Sequence, residues 1–420
     1  MNQQIELKKS ITWIKGSALT IGAVLGAGIL VLPAIAAEIA GPASILSWIL
    51  MGLFSLPMVI TIGMMSSRFP DSGGMASYSR QAFGSFGGRL TGLLILSAMP
   101  LGMPITALIG ANYLGGVFLW PTFLIHMVAA LLLVLAIILN YRGVELSGRI
   151  QVLVISIILL ILIFTVVFSA QHVNMSNFHH FTSNSYSWIH IGQAMNLIFF
   201  AFMGWEMIGH LAEEFYNPRK DIPLSLAIGF LFINFIYIGI AFVVIGNQAY
   251  QTNNPATAMI DLVAYSMGNN ASIIVAFLGL LICYCTVHTY IAGFSRLVYS
   301  QSRDGYLPPS FGKLHPRHQT PHVALLFFIP LFIIILFLSY HFSWNLKSLI
   351  GIPSTTFLAV YIISMLAAAN VLPTKIGKIS AYMSAFLSSI VFLFAGWSIL
   401  YPLTGSMLVF CLKKKKKATF

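Results

Sequence analysis

The stretch Ile21-Gly22-Ala23-Val24-Leu25-Gly26-Ala27-Gly28-Ile29 lies in the middle of an apolar run, 17–40, that is long enough to cross a bilayer as one helix. Gly22, Gly26 and Gly28 fall within seven residues. Each weakens a helix by about 1 kcal/mol relative to alanine. Two readings are open at this point. The glycines let a neighbouring helix approach closely, or the helix unwinds here and its free N–H groups bind an anion at the start of the following half-helix.

A second stretch, Phe199-Phe200-Ala201-Phe202-Met203-Gly204-Trp205-Glu206, puts a glycine and a carboxylate at mid-depth of the run 191–212. An acid at that depth is costly in hydrocarbon and marks a functional site by default. Runs of crossing length fall at 17–40, 43–65, 88–117, 121–140, 149–170, 191–212, 223–246, 271–295, 322–340, 348–370, 378–396 and 397–412. The last two are the weakest, because 397–412 is short and contains Pro402 and Gly405. Spans 1 and 6 hold equivalent places in two halves of five helices. Interruptions at corresponding positions of two halves point to a transporter's binding site, which favours the unwound reading of span 1.

Composition agrees with a lipid solvent. Of 420 residues 58% are hydrophobic and 8% charged, where a soluble chain carries about 25% charged residues. The expected fold class is therefore an all-α polytopic membrane protein of about twelve transmembrane helices. The formal net charge of +12 raises the prospect of nucleic acid, and the placement of the basic residues removes it. Lys8, Lys9 and Lys15 precede span 1, Arg68, Arg80 and Arg89 follow span 2, and Arg142 and Arg149 follow span 4. Arg219 and Lys220 follow span 6, Arg296, Arg303, Lys313 and Arg317 follow span 8, Lys375 and Lys378 follow span 10, and the lysine run 413–417 follows the last. Only Lys347 remains for the other side. Cytoplasmic loops are the ones enriched in Lys and Arg, so both termini are expected in the cytoplasm and the number of spans is even. The terminal lysines read as an anchor at the cytoplasmic interface. The basic start imitates a signal peptide, but the apolar stretch 16–40 exceeds the usual length and reads as a retained helix.

Other chemistry-bearing residues are few. Glu206, His210 and Glu213 share a helix face by spacing. His210 and the acids Glu213 and Glu214 read as a hydrogen-bonded helix end, or Glu206 and His210 form part of a proton path, since histidine titrates near neutral pH. His288, beside Thr286 and Thr289, reads first as a packing residue. The outer pair His179-His180 lacks a third ligand, and Cys283, Cys285 and Cys411 form neither a zinc spacing nor a disulfide framework. No metal or cofactor is expected.

Several motifs then share a pattern. Gly22 through Gly26-Ala27-Gly28, Pro70-Asp71-Ser72-Gly73-Gly74, Gly204-Trp205-Glu206 with Ala212-Glu213-Glu214 and Asn217-Pro218-Arg219, and Arg303-Asp304-Gly305 with Leu307-Pro308 resemble, in order, the amino acid–polyamine–organocation superfamily. The helix 6 run from Glu206 to Glu214 is similar to that of bacterial exporters of methionine and branched-chain amino acids. The resemblance implies a LeuT-like inverted repeat of five plus five helices with discontinuous helices 1 and 6. It implies repeats at 1–170 and 171–370, a remainder at 371–420 with helices 11 and 12, and an inner (plasma) membrane location. It also implies that a substrate carboxylate rests on the N–H groups of Gly26, Ala27 and Gly28, and that the ammonium meets carbonyls near Val24, Phe200 and Met203, beside Gly204. Phe200 would act as an aromatic gate.

Around that site the sequence offers Ser97, Thr286, Ser354, Thr355 and Thr356 as polar side chains, and Met103, Phe200 and Met203 as apolar ones. Such a lining suits methionine, leucine, isoleucine or valine better than arginine or glutamate. Span 5 lacks the interior lysine of some proton-coupled relatives, and Cys283 and Cys285 are poor sodium ligands. Proton-driven efflux or exchange, with Glu206 and His210 as coupling residues, is the expectation. Uptake or exchange by the same fold stands beside it, as do a channel and a solute sensor. An enzyme would need a nucleophile–base constellation that no motif supplies.

Overall fold

The computed structural model describes residues 7–178, 188–251, 258–344 and 346–417. Among them the chain is helical, and the sole β-bridge pairs Ile11 with Phe215. The helices are α1 (Trp13–Val24), α2 (Gly28–Ala40), α3 (Ser44–Arg68), α4 (Met75–Phe118), α5 (Thr122–Tyr141), α6 (Val144–Ala170), α7 (Trp188–Ile198), α8 (Met207–His210), α9 (Pro218–Gly246), α10 (Ala258–Met267), α11 (Asn269–Arg303), α12 (His322–Phe342), α13 (Leu346–Val371), α14 (Lys375–Phe392) and α15 (Leu400–Lys417).

Span 1 is thus two helices, α1 and α2, and span 6 is two more, α7 and α8. Nine stretches among the described residues are long and apolar enough to cross a membrane, and the first, Trp13–Arg68, holds two crossings. With α14 and α15, which are separated by a 3-10 turn at Gly396–Ile399, the fold has twelve passes, two of them discontinuous. The short α10 was not among the expected spans, and α4 begins well before residue 88, bending at Gly84 where φ is 70°. His179 and His180 lie outside the described residues.

The broken helices occupy the centre. The apolar window of Trp13–Arg68 is 100% buried, whereas the windows of α5 and of Gly148–Ala170 in α6 are 28% buried. Leu131, Leu153, Phe235 and Phe337, on α5, α6, α9 and α12, are between 63% and 66% exposed. An apolar perimeter of that kind needs lipid around it.

One end of the bundle is closed by charge. Arg80 at the start of α4 pairs with Asp71 at 3.0 Å and with Asp304. Arg303 reaches Glu213 at 3.1 Å and Asp71 at 3.5 Å, and the Ser72 N–H donates to Glu213 Oε1 at 2.8 Å. Deeper in, the fully buried Arg296 donates through Nε to Glu214 Oε1 at 2.7 Å. The N-terminal segment joins this end: Ser10 and Ile11 donate backbone N–H groups to the Glu214 carbonyl at 2.9 and 3.0 Å. Removing one partner of a buried ion pair leaves an uncompensated charge and costs about 3–5 kcal/mol. Arg296→Met is therefore expected to lower the unfolding temperature of the purified protein markedly. Adding Glu214→Leu to it should recover most of the loss; a double variant as unstable as the single one would deny the pair that role.

Candidate functional site

The two breaks are made by local sequence and then locked against each other. Leu25 ends α1 with φ −74° and ψ 64°, and the Gly26 N–H turns back to the Val24 carbonyl at 2.7 Å. The N–H groups of Ile29 and Leu30 bond to the carbonyls of Gly26 and Ala27. Those of Ala27 and Gly28 have no acceptor among the described residues, which leaves two donors at the positive N-terminus of α2.

In span 6 a 3-10 turn at Phe199–Phe202 follows α7, Met203 is extended, and Gly204 has φ 120°. A Cβ on Gly204 would sit 2.8 Å from the carbonyl carbon of Ala23, and one on Gly28 would sit 2.8 Å from the Cα of Ala201. Each break thus presses its backbone into the other. Tyr237 on α9 serves both, with its hydroxyl 2.6 Å from the Val24 carbonyl and 2.8 Å from the Ala201 carbonyl. Trp48 and Phe202 pack around its ring with centroids 5.3 and 5.1 Å away.

A cavity opens beside the breaks. Of the residues expected at the site, Val24, Gly26, Ala27, Gly28, Phe200 and Met203 line it, joined by residues of α4, α11 and α13. Gly204 stands behind it, against Ala23. The expected polar lining needs correction. Ser97, Ser354, Thr355 and Thr356 do not line the cavity. Their hydroxyls are held by Leu94, Asn196, Ser398 and Ile352 instead.

The hydroxyls that do border it are those of Thr106, Thr286 and Tyr290, and all are engaged. Thr106 donates to the Gly102 carbonyl at 2.9 Å, Thr286 to the Gly22 carbonyl at 2.9 Å, and Tyr290 to Glu206 at 3.4 Å. Met99, Met103, Phe294 and Phe357 supply the apolar wall.

Glu206 is buried behind the cavity. Its Oε2 accepts from the Gly204 N–H at 2.9 Å and the Tyr361 hydroxyl at 2.5 Å, and Tyr290 reaches Oε1. The carboxylate therefore holds the helix 6 break to α11 and α13, and no cation pairs with it among the described residues. His210 faces elsewhere. Its Nδ1 lies 3.1 Å from the Ser72 carbonyl, its ring packs on Gly74, and its buried Nε2 has no partner among the described residues. No hydrogen bond joins it to Glu206. His288 is contacted through Nδ1 by the Asn140 amide at 3.1 Å, away from the cavity lining.

Sequence reasoning missed four residues here: Tyr237, Tyr290, Tyr361 and Gln151. The three tyrosines had a signal, since a phenol in mid-span must find a partner for its hydroxyl. Gln151, on α6, donates through Nε2 to Thr289 Oγ1 at 2.7 Å and lies against Gly22. It gives α6 a neutral contact to both α1 and α11.

The comparisons with known proteins agree with this architecture. A family profile described as "Amino acid permease" matches residues 11–410. The chain belongs to that family. It is an amino acid transporter of the membrane-spanning, multi-pass kind, and the family is one of transporters. An "uncharacterized amino acid permease", YecA of Bacillus subtilis (strain 168), is 38% identical over 398 residues, covering 94% of this chain and 93% of its own. The "L-methionine/branched-chain amino acid exporter YjeH" of Escherichia coli (strain K12) is 28% identical over 415 residues, covering 98% and 97%. The "branched-chain amino acid permease BcaP" of Bacillus subtilis (strain 168) is 28% identical over 347 residues, covering 77% and 73%. Among solved structures, a manganese transporter of Eremococcus coleocola superposes with a TM-score of 0.58 over 97% of this chain and 96% of its own, at 13% identity. That likeness establishes the fold alone.

Gly204→Ala tests the crossing of the breaks. It adds a carbon where the backbone has positive φ and faces Ala23, a strain of roughly 1–3 kcal/mol. The variant is expected to reach the membrane in near-normal amount and to lose amino acid transport roughly tenfold or more, measured as uptake into vesicles.

Proposed function

We propose that this permease is a secondary carrier of neutral apolar amino acids, with methionine, leucine, isoleucine and valine as substrates. It would export them from the cytoplasm by alternating access coupled to protons. The observation that carries the reading is the lining of the cavity. Its side-chain hydroxyls are all bonded to protein, so the groups left to meet a zwitterion are backbone atoms of the two breaks. The rest of the wall is apolar, so a charged substrate side chain would be desolvated without a partner. Methionine side chains in the wall adapt to related shapes, which suits a small set of substrates.

In this reading Val24, Gly26, Ala27, Gly28, Phe200, Met203 and Gly204 form the substrate site. The free N–H groups of Ala27 and Gly28 receive the carboxylate. Val24 contributes less than its position suggests, since its carbonyl already accepts from Gly26 and Tyr237. Glu206 is the coupling group, connected to the cavity through Tyr290, and His210 supports the loop before α4. The carrier resides in a bacterial inner membrane with both termini in the cytoplasm. Its repeats are 1–170 and 171–370, with 371–420 added after them. The methionine and branched-chain cargo in the name of the Escherichia coli relative supports the substrate class. The word "permease" in the name of BcaP keeps uptake as the second reading of direction.

Proteoliposomes preloaded with labelled methionine, leucine, arginine or glutamate decide the matter. Efflux and counterflow of methionine and leucine, faster with an inward proton gradient and absent for arginine and glutamate, are expected. Movement of arginine without methionine or leucine would sink the substrate reading. Glu206→Gln should leave counterflow at zero gradient measurable while flattening the response of net efflux to external pH. An unchanged pH response would remove Glu206 from coupling.

A further inference from the structure

Glycine in the interior of a helix is destabilising relative to alanine, so each one calls for a reason in packing or backbone geometry. In α4 most glycines have such a reason. Gly84 takes φ 70° at the bend. A Cβ on Gly110 would sit 2.7 Å from the Cβ of Cys283, and one on Gly115 would sit 2.7 Å from Ile125. Gly92 lies against the Gln301 side chain.

Gly102 has neither reason. Its backbone is helical, and a Cβ there would meet a single neighbour, the Cβ of Pro353 at 3.9 Å. That is ordinary contact, so a methyl group fits without displacing the helix. Yet Gly102 is at a cavity wall, with Met99, Met103, Pro353 and Phe357 also lining that space. Its carbonyl is capped by the Thr106 hydroxyl at 2.9 Å. The residue therefore offers the cavity a bare Cα surface and the volume of a missing side chain. Gly26 and Gly28, the other cavity glycines, differ: a Cβ on either would press on Thr286 or on the Ala201 backbone.

We propose that Gly102 sets the size of the side chain this carrier accepts, the end of a methionine, leucine or isoleucine side chain resting in the space its missing Cβ leaves between α4 and α13. The inference rests on the apolar-substrate reading above and adds to it the position that measures length. Ala27 and Gly28 meet the common part of every amino acid, whereas Gly102 meets only the part that varies. A change there moves the ratio between substrates and leaves recognition of the zwitterion alone.

The test is Gly102→Ala, compared with the wild-type protein in proteoliposomes loaded in turn with alanine, valine, leucine and methionine. One methylene in an apolar pocket is worth about tenfold or more in discrimination. The expected result is a fall of about tenfold in kcat/KM for methionine and leucine, with alanine and valine held within about twofold. A variant that lowers all four in the same proportion, or changes none, overturns the assignment of Gly102. A variant that fails to accumulate in the membrane overturns the geometry on which it stands. A wild-type protein that moves none of the four substrates instead refutes the apolar-substrate reading, an outcome distinct from the others.

Discussion

Ala23 and Gly204 approach so closely that one added carbon on Gly204 would lie 2.8 Å from the Ala23 backbone, and Gly28 and Ala201 make the reciprocal contact. The centre of the molecule follows from that crossing. Two helices with their hydrogen-bond ladders intact could not meet at such distance with larger residues between them. Once they are interrupted, their orphan groups need partners away from water. Tyr237 and Glu206 meet part of that need: one hydroxyl is shared by carbonyls of both breaks, and one carboxylate receives the Gly204 N–H. The N–H groups of Ala27 and Gly28 are left over beside the cavity. The carboxylate-binding surface proposed there is thus the remainder of a folding problem, not an addition to a finished fold.

The charges of the chain are divided in the same spirit. At the closed end, Arg80, Arg296 and Arg303 are matched with Asp71, Asp304, Glu213 and Glu214, and the segment before α1 is stitched to the backbone carbonyl of Glu214. Among the described residues Glu206 pairs with no cation, only with an N–H and two phenols. A paired acid loses its partner's compensation when it gains a proton. An acid held by neutral donors leaves no opposite charge behind, which suits a group that changes charge during a cycle. The Tyr290 hydroxyl stands between that acid and the cavity.

Much of this was legible in the sequence because glycine and buried charge are rare and costly inside a membrane. Gly26, Gly28 and Gly204 marked the breaks, and Glu206 stood out as a buried acid beside one of them. Ser97, Ser354, Thr355 and Thr356 misled for a physical reason. A hydroxyl on a helix bonds readily to a carbonyl one turn back or to a neighbouring helix, and the residue type does not say which way it faces. Tyr237, Tyr290 and Tyr361 were overlooked although each carries a polar atom into mid-span. Gln151 gave no signal, since its contact with Thr289 and Gly22 depends on how α6 leans on α1.

What remains is how a cavity with so few free polar groups tells one substrate from another. In the proposed reading the breaks bind the ammonium and carboxylate that all amino acids share, so they set affinity without setting choice. Choice must then come from shape, and shape discrimination between apolar side chains is shallow, since each methylene is worth only about 1–3 kcal/mol. In the proposed reading such a carrier accepts a group of related amino acids and excludes charged ones strongly, because the cost of burying an unpartnered charge far exceeds that of a misfitted methyl. Flexible methionines at positions 99, 103 and 203 in the wall suit such a site. Precision is needed at the breaks, where backbone meets backbone, and at Gly102, where the wall has no side chain, while the methionines of the wall leave room for related shapes.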